Sequence, residues 1–170
     1  MRSELAIEPP TRLRERLLAI TGDATVEGAL HRFTARDADR PQTGPIVRAL
    51  MEEAAAGDVA AAAVVRAHGV GLGELAAAAA RRVGIDDAPY ALSFCGGLGR
   101  AGAPALVEAA IETVRATGQS PVTVPPRWEP AIGALVIGLT ASSSGPLPAD
   151  VAQRLDASGP PPSFYDVLGG

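Results

Sequence analysis

Residues 90–104 read YALSFCGGLGRAGAP, and this stretch decides the fold. An apolar run over residues 90–95 stops at paired glycines, and an amphipathic segment over residues 105–117 follows it. A second apolar run, residues 122–125, begins four residues after Gly118, the glycine that ends that segment. Strand, helix and strand joined by short connections make a βαβ unit, whose strands pair in parallel. The sequence therefore predicts such a unit here.

Apolar residues at helical spacing predict further helices around this unit. Residues 36–45, rich in Arg, Asp and Pro, are predicted to form a loop. Residues 130–141 fit strand or helix by periodicity, and the proline at their start favours helix. The predicted inward-facing residues are Leu13, Leu17 and Leu18 in 11–20, Val26, Leu30 and Phe33 in 25–36, Val47, Leu50, Met51 and Ala54 before Gly57, Ala61, Val64, Val65, Leu72, Leu75, Ala76, Ala79 and Val83 after it, and Val107, Ala110, Ile111 and Val114 in 105–117.

Composition supports a helix-rich α/β class. The chain has 170 residues, enough for one domain with a core, and aromatic residues make up 4% of it. Alanine is abundant, which favours close-packed helices over a β-sandwich. Two predicted strands do not make a stable sheet by themselves. The sheet therefore needs a neighbouring strand from elsewhere.

Charge and residue usage exclude several classes of function. The net charge is −4 with dispersed arginines, so no basic face for nucleic acid is expected. All 15 basic residues are arginine, which excludes a Schiff-base or Walker-type lysine. Cys95 is the single cysteine, so the chain forms no internal disulfide. Residues 59–80 are apolar but are interrupted by Arg66, His68 and Glu74, so we expect a cytoplasmic protein without a membrane span.

Two glycine clusters allow different interpretations. Residues 97–102 match G-x-G-x-x-G between a strand and a helix, the context of a dinucleotide-binding turn. The next strand runs into prolines and Arg127, which could accept a 2′-phosphate, instead of an acidic residue. Too little chain follows for the further parallel strands of a Rossmann sheet. A dinucleotide-binding domain is therefore an alternative that we rank below the two given at the end of this section. The second cluster, residues 68–73, follows no strand and predicts a helix kink or a tight helix crossing.

The remaining polar residues have simple structural explanations. His31 and His68 lie on different predicted helices, without a cysteine or carboxylate at ligand spacing, so we expect no catalytic or metal role. The pair Asp86 and Asp87 suits a turn or a cap. Cys95 is predicted to be a small core residue. Residues 142–144 are three serines that suit a linker.

Three segments in this order resemble a known family. They are MEEAAAGDVAAAAVVRA at 51–67, LSFCGGLGRAGAPALVEAAIETVRA at 92–116 and VTVPPRWEPAIGALVIGL at 122–139. Together they are similar to the C-terminal lobe of the BadF/BadG/BcrA/BcrD ATPase and N-acetylglucosamine kinase family. That family has the actin-like ATPase fold, also called ribonuclease H-like. The resemblance implies that residues 11–141 are such a lobe, with an N-terminal extension at 1–10 and a flexible tail at 142–170.

The resemblance also implies a nucleotide-binding role for the glycine turn. Gly96 and Gly97 would approach the adenine and ribose of ATP, and Leu98 and Gly99 would shape the same loop. Gly133 and Ala134 would let the last helix pack close to the sheet. Asp58 would cap the helix that follows it, as an aspartate at that position does.

The chain departs from this family in the elements that hold phosphate. An Asp-x-Gly-x-Thr hairpin, a Gly-Thr-Gly-Ser-like hairpin and a catalytic aspartate are absent from the sequence. We therefore expect the chain to be the ATP-binding lobe of a sugar kinase that acts on an N-acetylglucosamine-type amino sugar. The lobe would have no catalytic or metal-binding residue of its own, and elements outside this chain would hold Mg²⁺. Its partner would be the missing first lobe or a second copy. The alternative is a non-catalytic helical interaction or dimerisation module.

Overall fold

Seven helices and two short strands form the part of the chain that the structure describes. A computed structural model describes residues 10–34, 43–96, 103–143 and 145–159. The fold is helix-rich α/β, as the sequence predicts. In chain order the elements are α1 (Leu13–Thr21), α2 (Val26–Thr34), α3 (Thr43–Ala55), α4 (Val59–Val83), β1 (Tyr90–Leu92), α5 (Pro104–Ala116), β2 (Pro121–Thr123), α6 (Pro130–Ser143) and α7 (Ala149–Ala157).

The closest packing in the structure joins α4 to α5 at two glycines. A β-carbon at Gly69 would lie 2.5 Å from the carbonyl oxygen of Leu106. A β-carbon at Gly73 would lie 2.5 Å from the carbonyl oxygen of Ala110 and 2.7 Å from the β-carbon of Thr113. Real β-carbons do not approach backbone oxygens this closely, so α5 reaches this position because both residues lack a side chain. The glycine-rich segment at 68–73 is thus a tight helix crossing within a continuous helix.

This crossing changes part of the predicted buried face of α4: Ala61 and Val65 are buried as predicted, whereas the other residues predicted there are not. The buried positions are filled mainly by small residues: Ala61, Val65, Gly69, Gly73, Ala77 and Ala80. Of the larger residues predicted to face inward, Leu75 is 69% exposed and Val83 is 67% exposed. Val64 and Leu72 are also exposed. The prediction followed side-chain size, whereas the packing follows the shortest distance that the two helices can reach.

The facing surface of α5 differs from the prediction in the same way. Its buried residues are Leu106, Ala109, Ala110 and Val114. Val107 and Ile111, predicted to be buried, are half-buried instead. The helix begins with Pro104, whose missing N–H is not needed at the first helical position. It is followed by Gly118 at φ +86°, a left-handed conformation that glycine adopts without strain after a helix.

The β1–α5–β2 unit is parallel, as predicted, but its strands are shorter. Tyr90 pairs with Pro121 and Leu92 pairs with Thr123. The predicted strand over 90–95 ends at residue 92 and is half-buried rather than buried, and the second strand is 121–123 rather than 122–125. Gln119 ties the sheet to the helices: its amide donates to the Ala77 carbonyl (3.1 Å) and its oxygen accepts from the Tyr90 hydroxyl (2.8 Å).

α3, which precedes this unit, packs against residues of both α4 and the start of α5. Leu50, Met51 and Ala54 of α3 pack against a cluster of Val65, Ala103 and Leu106. The predicted loop over 36–45 is wrong at its end, because α3 already begins at residue 43. Proline at position 45 is compatible with this start, since the first turn of a helix does not use its N–H groups.

The C-terminal helices agree with the sequence in type and position. Residues 130–143 form the helix α6, and the weak helix predicted near 149–156 is α7. In the described residues, α6 buries none of its side chains. By length and composition, α4 is the one helix in the described ranges that could cross a membrane, which is weak evidence for a span.

The glycine crossing makes a paired prediction. Gly73→Ala places a methyl group against the Ala110 carbonyl, so we expect the free energy of unfolding to fall by about 1–3 kcal/mol, the usual effect of overpacking. Gly71→Ala is the matched control, because a β-carbon there meets nothing within 4 Å. It should raise stability by about 0.5–1 kcal/mol through helix propensity. Urea denaturation measures the unfolding free energy of both variants. Equal changes in the two would contradict the close approach of α5 to Gly73.

Candidate functional site

The candidate site lies at the carboxyl end of β1, where the sequence places the glycine turn. Gly96 has φ +75°, and a β-carbon added to it would meet no atom of the described residues within 4 Å. The Ser93 hydroxyl, three residues earlier, donates to the carbonyl of Val124 at 2.7 Å and joins the ends of the two strands. Of the predicted nucleotide-binding residues, Gly96 therefore has a left-handed backbone conformation. Gly97, Leu98 and Gly99 lie outside the described residues.

Cys95 corrects the prediction of a core residue. It is exposed, because β1 has already ended at residue 92 and the chain is turning. The paired acidic residues ahead of β1 lie in a turn, as expected, with Asp87 exposed. His31 and His68 are both exposed, and the ring of His68 contacts the Val64 carbonyl of its own helix at 2.8 Å.

A polar cluster joins the segment after β2 to α7. The Arg127 guanidinium binds both carboxylate oxygens of Asp156 at 3.2 and 2.9 Å, and the Trp128 indole N–H donates to the same carboxylate at 2.7 Å. Arg127 also lies 4.5 Å from the centre of the Trp128 ring. Hydrogen bonds from Arg127 and then Trp128 lower the pKa of Asp156. Because Asp156 already occupies the guanidinium, Arg127 is less suited to the 2′-phosphate of a dinucleotide.

The expected role of Gly133 in close packing is not met. A β-carbon at Gly133 would meet nothing within 4 Å, and Ala134 is exposed. Within the described ranges, α6 therefore does not use these small residues to approach the sheet. A third small residue on this helix, Gly138, also has open space around it.

Asp58 is a helix cap with additional bonds across the chain. Its carboxylate accepts from the Ala61 N–H at 3.0 Å at the start of α4. It also accepts from the Thr11 hydroxyl at 2.9 Å and from the Arg12 N–H at 2.8 Å. These bonds, with that from Ala61 largest and burial opposing them, lower the pKa of Asp58. The residue therefore fixes α1 to the turn between α3 and α4, which is a structural role.

Ion pairs strengthen the same junction. The Nε of Arg12 donates to Glu53 at 2.6 Å, and this bond raises the pKa of Arg12. Glu53 is 8% exposed. Arg16 pairs with Glu52 and approaches Glu53 at 3.6 Å. These ion pairs connect α1 and the residue before it to α3, which is a structural role.

The structure offers few groups for a metal or a phosphate. Across the described ranges, no group of three His, Cys, Asp or Glu side chains could hold a metal ion. A small hollow between α1 and α3 is lined by apolar side chains and Arg16, which does not suit a nucleotide. The turn after β1 is thus the candidate that retains backbone access. At Gly96, the described residue of this segment, exposed main chain can lie against a flat ring.

Sequence reasoning missed the side chains that connect elements. Gln119 and Asp156 bridge segments that are 42 and 28 or 29 residues apart in the chain. The position of Gln119, a polar residue between the end of a helix and an apolar strand, could have indicated a bridging side chain. Asp156 carried no such signal, because its partners lie across an intervening helix.

Comparisons with known proteins add no identification. Nothing matches this chain among protein-family models, curated proteins or solved structures.

The Asp58 cap makes a prediction about acid stability. Because its pKa is lowered in the folded state, the stabilisation is present above the unfolded pKa of about 3.9 and is lost as the pH falls through the folded value. Asp58→Asn keeps a cap but loses an acceptor, so we expect about 1 kcal/mol less stability at pH 7 and a weaker decline below pH 4. Urea denaturation at pH 7 and pH 3 measures both.

The exposed Asp87 supplies the control for this experiment. Asp87→Asn should leave the unfolding free energy at pH 7 close to that of the unchanged chain, because a surface substitution away from caps and ion pairs has a small effect. An Asp58→Asn variant with the unchanged acid dependence would contradict the role given to this carboxylate.

Proposed function

We propose that this chain is the nucleotide-binding lobe of a sugar-kinase-like ATPase and is inactive alone. The observation that carries the proposal is the β1–α5–β2 unit, in which Gly96 follows the end of β1 by four residues and has a left-handed backbone conformation. Ligands of open α/β sheets bind at the carboxyl ends of the strands. A glycine there lets the main chain lie against an adenine ring without a side chain between them.

The missing phosphate elements define what the lobe does not do. Phosphoryl transfer depends on positioning and on neutralising charge around the transferred group. The sequence has no lysine and no Asp-x-Gly-x-Thr hairpin, and the described residues have no metal cluster. Binding of Mg²⁺ and of an amino sugar, with catalysis, is therefore assigned to residues outside this chain. A cytoplasmic location belongs to the same proposal.

Titration with ATP tests the proposal directly. We expect weak, saturable binding by isothermal calorimetry and no turnover of ATP with or without N-acetylglucosamine. Gly96→Asn should abolish binding, because asparagine tolerates the left-handed conformation but adds a side chain where the ring would lie. Gly22→Asn is the matched control, since Gly22 has φ +70° and the same open surroundings near the end of α1.

The outcomes separate a nucleotide site from a merely structural turn. Loss of binding in Gly96→Asn with an unchanged unfolding transition, and unchanged binding in Gly22→Asn, supports the lobe. Turnover of ATP by the isolated chain at ordinary kinase rates, or equal binding by both variants, overturns it.

A specific observation favours a second candidate, a helical module that associates with a copy of itself. α6 contains no charged residue, buries none of its side chains, and has Ile137 71% exposed. A helix that is apolar on all sides is stable when other apolar surface covers it. An uncharged helix of this kind suits pairing with the same helix of another chain, because no like charges oppose it.

Sedimentation equilibrium tests this second candidate. We expect a concentration-dependent dimer for the unchanged chain and a monomer for Ile137→Glu, because a charge in the dimer interface would be desolvated. Val59→Glu on α4, where Val59 is also 71% exposed, is the control and should leave the dimer intact. A monomer at every concentration, or equal effects of both variants, would argue against association through α6.

A further inference from the structure

The helix α1 packs on α3 without filling the space between them. A hollow of about 170 Å³ lies between the two helices, and its lining includes Leu13, Leu17 and Ile20 of α1 and Ile46, Ala49 and Leu50 of α3. No residue of α1 is buried, and Ile20 is 37% exposed. This α1–α3 hollow is therefore an apolar surface that the described residues leave partly uncovered.

The α1–α3 hollow suits an apolar occupant. Its charged lining residue is Arg16, whose guanidinium already pairs with Glu52 and lies 3.6 Å from Glu53. The other lining side chains are aliphatic. An apolar cavity of about 150 Å³ holds a molecule the size of benzene, so this hollow has room for one or two aliphatic side chains and offers nothing to a charged group.

The chain enters α1 at one end of this hollow. The Asp58 carboxylate accepts from the Thr11 hydroxyl at 2.9 Å and from the Arg12 N–H at 2.8 Å. Arg12 in turn donates to Glu53 of α3 at 2.6 Å. Leu13, the next residue, lines the hollow. The segment that precedes Thr11 therefore starts beside the hollow.

The segment before α1 carries apolar side chains in a pattern that fits the hollow. Residues 1–9, which lie outside the described residues, read MRSELAIEP. Leu5 and Ile7 are two positions apart, and a glutamate stands on either side of the pair. Successive side chains of an extended chain point to opposite sides, so Leu5 and Ile7 share one side and both glutamates the other. Pro9 and Pro10 favour an extended backbone for the residues that precede them.

The segment is long enough to cross the hollow. Leu5 precedes residue 10 by five positions, which span up to about 17 Å in an extended chain. Leu13 and Ile20 are seven positions apart on α1, about 10 Å along the helix axis. Residues 35–42, a further segment outside the described residues and next to α3, hold four charged residues and no Leu, Ile, Val, Met or aromatic residue. Residues 1–9 are therefore the better occupant.

We propose that residues 1–9 form a strap across the α1–α3 hollow, with Leu5 and Ile7 as its apolar contacts. The strap covers the exposed lining residues of both helices and leaves its glutamates in water. It adds an apolar attachment of α1 to α3 beside the polar one made at Asp58. This inference goes beyond the proposed function and does not depend on nucleotide binding, because the strap and the glycine turn use different residues.

A spin label on the strap tests its position. The label is attached to Ser3→Cys in a full-length Cys95→Ser chain, since Cys95 is exposed and is the single native cysteine. We expect the nitroxide to broaden the amide NMR signals of Ile20 and Ile46. The signal of Gln153 on α7 should stay unchanged.

Two neighbouring substitutions make a matched pair for this measurement. Ile7→Asp puts a carboxylate on the side that faces the hollow, where burial without a partner is costly, so the broadening at Ile20 and Ile46 should be lost. Ala6→Asp adds the same charge on the opposite side and should keep the broadening. The amide signals of α4 and α5, which should not change in either variant, show that the fold is retained.

Benzene supplies a second measurement that does not use the label. It should shift the amide signals of Ala49 and Leu50 in the Ile7→Asp chain and not in the unchanged chain, because the strap fills the hollow. Equal broadening in Ile7→Asp and Ala6→Asp, loss of broadening in both, or equal benzene shifts in the unchanged and Ile7→Asp chains would overturn the inference. So would broadening of an unlabelled chain by a spin-labelled one, which would assign the hollow to a second copy. ATP affinity is measured separately, so failure here leaves the proposed function unaffected.

Discussion

The contact between the α4 glycines and the α5 backbone is the constraint on which the rest of the structure depends. Gly69 and Gly73 each admit a carbonyl oxygen of α5 to within 2.5 Å of the place where a β-carbon would be. This contact sets the position of α5, and α5 connects β1 to β2. The parallel pairing of the strands, and the turn that follows β1, are therefore held in place by two residues without side chains.

Close packing of small residues has a consequence for the surface. Val114 is the largest fully buried side chain in the described residues, while Leu75, Val83 and Ile137 are each at least 67% exposed. Dispersion contacts over a close helix crossing replace the burial of large side chains. These exposed apolar residues can form contacts with another polypeptide.

The sequence predicted the kinds of elements well and their packing faces less well. Glycine, proline and aspartate marked the ends of α4 and α5, because caps and breakers act through local backbone geometry. Which face of α4 is buried depends on the distance to α5, a tertiary quantity that periodicity does not contain. The exposed Cys95 follows from the early end of β1, which apolar content alone does not reveal. For the candidate site, Gly96 was predicted by its place after a strand, whereas Gln119 and Asp156 act across long sequence separations.

The missing phosphate elements and the paired charges bear together on the proposed function. A nucleotide site needs charge near the phosphates. Among the described residues, Arg12 and Arg16 pair with Glu53 and Glu52 at the α1–α3 junction, and Arg127 pairs with Asp156. These three cations are already engaged within the chain. The proposal of a nucleotide-binding lobe therefore requires that a partner segment supply the groups that hold phosphate.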